Sequence, residues 1–76
     1  MSSKASKLVD QATVALREFS EGSFGKLISE VEETKGVVEV RFESTAKGYT
    51  GWHWVVTLSQ PDKRKAATVA EINMIA

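Results

Sequence analysis

The stretch Gly48-Tyr49-Thr50-Gly51-Trp52-His53-Trp54-Val55-Val56-Thr57-Leu58 decides how the rest of the chain is read. Both tryptophans, the single tyrosine and the single histidine stand between positions 49 and 54. Gly48 and Gly51 mark a turn that feeds a strand. On a pleated strand Trp52, Trp54, Val56 and Leu58 point to one face, and His53, Val55 and Thr57 to the other. Two indoles on one face of a short chain are core material first, packed beneath whatever covers the sheet. The competing assignment puts Trp52, next to the turn, at a rim with Tyr49. Tyr and Trp are enriched among interface anchors because they bring large rigid area at low entropy cost.

Upstream of the turn, Val38, Val40 and Phe42 alternate with Glu39, Arg41 and Glu43, the pattern of a half-buried strand. Residues 44–51 are too few for a crossover, so this strand and the tryptophan strand pair antiparallel. Thr34-Lys35-Gly36 signals another turn, and before it Phe24 to Glu33 reads as an extended segment with Leu27 and Val31 sharing a parity. Residues 26–33 also suit a helix, since Leu, Glu and Lys are good helix formers. From Ser3 to about Glu21, Ala5, Leu8, Val9, Ala12, Ala15, Leu16 and Phe19 recur at three- and four-residue spacing, which predicts a helix with one buried stripe. Ser3 suits its N-cap and Gly22 its left-handed end, while Lys4, Lys7, Asp10, Arg17 and Glu18 fall on the wet side.

Downstream, Pro61-Asp62 ends the tryptophan strand, because Pro61 has no N–H for the ladder. In the last segment Val69, Ile72 and Met74 cannot share a simple strand parity, so a bulge, a two-sided strand or a short helix is expected there. The sum is an α+β fold: one N-terminal amphipathic helix packed on a three- or four-stranded antiparallel sheet. One helix cannot cover both faces of a sheet. The face carrying Val37, Glu39, Arg41, His53, Val55 and Thr57 is expected to be wet or to meet a partner.

Seventy-six residues make one small domain, 1–76, whose burial of apolar area little more than offsets the ordering entropy. Without cysteine there is no disulfide or thiolate metal site, and a reducing cytoplasmic location fits. No apolar run is long enough for a signal peptide or a membrane span. Ten basic and ten acidic side chains cancel, which disfavours general electrostatic binding to nucleic acid or to an anionic membrane.

From about Gly25 onward the chain resembles an uncharacterised domain family of actinobacteria. Phe42, the Gly-Tyr-x-Gly-Trp-x-Trp-x-Val-Thr run of residues 48–57 and the Thr-Val-x-Glu of residues 68–71 carry the resemblance. The family pattern continues into an apolar pair and Pro-Gly, whereas this chain ends Asn73-Met74-Ile75-Ala76. The resemblance implies the same sheet and an excised or free-standing copy of the domain, and a stand-alone version would suit a small phage-encoded protein of an actinobacterial host; the resemblance transfers no catalytic residue.

No chemistry is framed by motif. His53 without cysteine is a poor zinc ligand set, no nucleophile elbow presents a Ser or Thr, and Gly48-x-x-Gly51 lacks the Gly-Lys-Ser/Thr of a phosphate loop. The glutamates at 30, 32, 33, 39 and 43 read as solvated strand charge. We therefore expect no enzyme, no cofactor and no metal. The first expectation is a protein-interaction module that binds another protein or itself through Tyr49, Trp52, His53 and Arg41. The alternative is a nucleic-acid-binding domain in which Tyr49, Trp52 and His53 stack on bases while Lys47, Lys63, Arg64 and Lys65 neutralise phosphate.

Overall fold

The apolar spacing upstream of Gly22 forms a helix, α1 (Lys4–Ser20), in the computed structural model, which describes residues 4–62 and 64–76. Ser3 as N-cap and the position of Lys63 lie outside the described residues, as do the side chains of residues 4–7. Asp10, Arg17 and Glu18 are exposed as the charge pattern requires. The helix ends through a tight turn in which Glu21 and Gly22 both take positive φ, at 57° and 84°, and the Ser23 N–H donates to the Ser20 carbonyl at 3.2 Å. Glu21 is the surprise in the left-handed region, which glycine tolerates best.

Four strands follow: β1 (Phe24–Thr34), β2 (Val37–Ser44), β3 (His53–Ser59) and β4 (Thr68–Ile75). They pair in chain order as one antiparallel meander, with β1 and β4 at the edges. Residues 26–33 are strand, not helix; their place is settled by the ladder with β2, which outweighs a weak local propensity. The register of β1 slips at three places, so Leu27 lies opposite Phe42 whereas Val31 lies opposite Glu39. The two therefore face opposite sides of the sheet, which corrects the shared parity read from the sequence. An inserted residue reverses the alternation beyond it.

The buried core consists of Ala12 and Leu16 of α1, Val38, Val40 and Phe42 of β2, Trp54, Val56 and Leu58 of β3, and Ala67. Leu8, Val9 and Phe24 pack around it, together with Val69, Ile72 and Met74 of β4. These last three reach one side because β4 is bulged where Thr57–Leu58 pairs with Glu71 and Val69, so of the arrangements their spacing leaves open the bulge is the one adopted. The helix lies on β3 and β4, and its C-terminal end meets the start of β1. Two polar contacts fasten it: the Gln11 side-chain amide donates to the Ala67 carbonyl at 2.6 Å, and the Trp54 indole N–H donates to the Ser23 carbonyl at 3.0 Å. Phe19 departs from the expected stripe. It is 62% exposed, its ring set edge-on to Trp54 at 5.9 Å between centroids, so it lids the indole from outside.

The β1–β2 turn packs against the segment after β3. Gly36, at φ 81°, accepts a 2.7 Å hydrogen bond from the Gln60 N–H, and a Cβ on it would stand 3.0 Å from the Pro61 Cα. Only glycine suits both the backbone angle and the space.

Candidate interaction surface

The connection between β2 and β3 is built from two successive turns. The Tyr49 N–H donates to the Ala46 carbonyl at 3.0 Å, and the Trp52 N–H to the Tyr49 carbonyl at 3.1 Å. Gly48 and Gly51 occupy the third position of each turn with φ of 88° and 90°, the geometry for which glycine is selected. Chaining the turns leaves the backbone projecting and brings Tyr49 back onto Trp52, edge to face, with centroids 5.1 Å apart. Tyr49 is 45% exposed and Trp52 is half-buried, so the pair forms a rim. The two indoles thus separate: Trp54 is 8% exposed and belongs to the core, whereas Trp52 precedes the first strand residue and stays outside it.

Beside this rim, Glu43 and His53 are cross-strand partners on the face turned away from the helix. Together with Ser44, Thr50, Gly51 and Trp52 they line a shallow cleft of about 250 Å³. Ser44 is buried there, its hydroxyl accepting from the Ala46 N–H at 3.2 Å. The neighbouring row of the same face holds Arg41 opposite Val55, and Val55 opposite Asn73. The Arg41 guanidinium donates to Glu39 at 3.2 Å. Glu39, Glu43 and Glu71 outnumber Arg41 here, making the face acidic. It is not uniformly wet, however: Val55 is only 6% exposed although no helix lies over it. Neighbouring side chains close over a small β-branched residue in the middle of a sheet.

The basic loop sits elsewhere. Arg64 and Lys65 follow β3, at the end marked by Ser59, whereas the aromatic turn precedes it at His53. Seven strand residues put about 20 Å between these ends. Arg64 also turns to its own loop, its backbone N–H and guanidinium both donating to Asp62, at 2.9 Å and 3.3 Å. Those contacts, the backbone one foremost, hold the Asp62 carboxyl below the usual carboxylate range. Of the candidate residues, then, Tyr49, Trp52 and His53 come together and Lys47 lies in the same turn, whereas Arg41 stands a row further along the face with its guanidinium on Glu39, and Arg64 and Lys65 do not join them. Glu43 and Thr50 join the site without having been candidates. Pairing β2 and β3 outward from their turn sets Glu43 opposite His53, a signal that the sequence does contain. Among the described residues no cluster of three or more His, Asp or Glu side chains forms a metal-binding group, and no helix is long and apolar enough to cross a membrane.

A single helix over a four-stranded antiparallel meander, with an aromatic turn at one end and an uncovered acidic face, defines a small α+β domain. The chain belongs to the family described as Protein of unknown function (DUF3027), whose model matches residues 25–76. That span holds all but the first residue of the sheet, and the helix precedes it. No curated protein and no solved structure matches the chain.

Proposed function

We propose that this domain is a non-enzymatic protein-interaction module that contacts its partner through the end of the sheet carrying Tyr49 and Trp52. The observation that carries this reading is the rim itself: an exposed tyrosine set edge-to-face against a half-buried tryptophan at the mouth of a cleft, on a turn held by a rigid sheet. Loops so positioned are where binding residues concentrate. The partner's matching chemistry is an apolar side chain for the aromatic rim and a basic group for Glu43, because the adjoining face is acidic. The roughly 20 Å between the aromatic turn and Arg64–Lys65 weighs against one surface that stacks bases and neutralises phosphate together. An actinobacterial, phage-encoded origin and a cytoplasmic location belong to the same proposal, supported by the motif of residues 48–57 and the lack of cysteine.

The test is capture of the partner from an actinobacterial lysate followed by titration. Tyr49→Ala should keep the far-UV spectrum and melting temperature of the parent and weaken binding by about 1–2 kcal/mol or more, as loss of an interface anchor does. Arg64→Ala/Lys65→Ala should leave it unchanged. If the basic pair proves necessary and Tyr49 dispensable, and affinity falls steeply with salt, the partner is a polyanion and the proposal fails.

A further inference from the structure

The two edges of the sheet are guarded unequally. β1 carries Lys26, Glu30, Glu32 and Glu33 and slips register three times, the devices by which natural sheets prevent edge-to-edge pairing. β4 has neither in comparable measure: Glu71 is its sole charge, it contains no proline, and its one bulge lies near its start, leaving Glu71 to Ile75 in regular register with β3. Val69, Ile72 and Met74 pack on the core yet remain only partly buried, their outer sides open at this edge. An edge strand of this kind presents a row of unpaired N–H and C=O groups to another strand.

We infer that β4 is the dimerisation edge of this protein, pairing antiparallel with β4 of a second copy about a two-fold axis at Asn73 to make a continuous eight-stranded sheet. The axis follows from the strand: Asn73 is the midpoint of the regular segment 71–75. In that register Ile72 meets Met74 of the copy, twice, on the helix side, closing the apolar side chains that the edge leaves half open. Asn73 meets itself on the other face, where two amides can exchange hydrogen bonds. The charges permit it. The two Glu71 carboxylates end up about 14 Å apart along the strands, beyond a Debye length of about 8 Å, and each already accepts a 2.7 Å hydrogen bond from its own Asn73 amide. Zero formal net charge removes any overall repulsion between copies. The axis also brings both α1 helices to the same face, side by side, since each lies on β3 and β4. This surface is distinct from the aromatic rim, so the inference stands or falls separately from the proposed function.

The experiment is sedimentation velocity across a concentration series, with amide hydrogen exchange read in parallel. The expected result is a shift from the 8.3 kDa monomer toward twice that mass, with those amides of residues 71–75 that point away from β3 becoming more protected as concentration rises. Asn73→Lys, which places two like charges on the axis at an exposed position, should abolish the shift while preserving the melting temperature of the dilute protein. Asn73→Asp should act alike should the lysine variant fail to fold, and Val31→Lys on the opposite edge should dimerise normally. A monomer at every concentration overturns the inference. So does a dimer that survives Asn73→Lys, or one lost instead through Val31→Lys or Tyr49→Ala.

Discussion

Trp54 and Trp52 stand two residues apart and do different things, which shows how far a residue's neighbours decide its role. Trp54 is enclosed by the core, capped by Phe19 and tied through its indole N–H to Ser23. Trp54→Ala should therefore cost about 3–5 kcal/mol, the range for truncating a buried aromatic, read as a drop in the urea midpoint. In a domain of this size that is a large fraction of the expected total of roughly 4–11 kcal/mol. Gly36 is the other position where one residue decides much. Gly36→Ala meets both a left-handed φ and the Pro61 backbone at 3.0 Å, so it should destabilise by about 1–3 kcal/mol. Thermal unfolding measures it, and an unchanged melting temperature would show that the β1–β2 turn can move away from Pro61.

At the scale of elements, α1 covers the sheet face through a narrow stripe centred on Ala12 and Leu16, both fully buried. Leu16→Ala should lose about 2–5 kcal/mol in chemical denaturation. A loss well below that would mean that the helix contributes little to the sheet it rests on. The period of the stripe makes α1 legible in the sequence, and strict alternation does the same for β2 and β3. β1 is harder to read because its edge position leaves most of it exposed and its bulges break the alternation on which strand reading depends. Phe19 escapes the stripe for a related reason: helical period says which side a residue faces, not how far the neighbouring sheet extends beneath it.

For the whole molecule, the consequence that matters is the separation of two groups that sequence alone could not keep apart. The aromatic turn and the basic loop flank the same strand, and only the length of β3 places them at opposite ends of the sheet. Partner binding should accordingly respond to Tyr49→Ala and stay indifferent to Arg64→Ala/Lys65→Ala. Side-by-side titration of the two variants at low and high salt checks this, and equal losses would mean that the partner spans the full sheet. The class of fold, the antiparallel pairing across residues 44–51, the broken alternation in β4 and the aromatic character of the turn were all determined by sequence, because period, glycine position and loop length are local quantities. Tertiary structure alone decided that Trp52 sits at the rim rather than in the core beside Trp54, that Leu27 and Val31 face opposite ways, and that Val55 is buried on a face without a helix. Each of those depends on register between strands, which many local sequences permit and only the packed sheet selects.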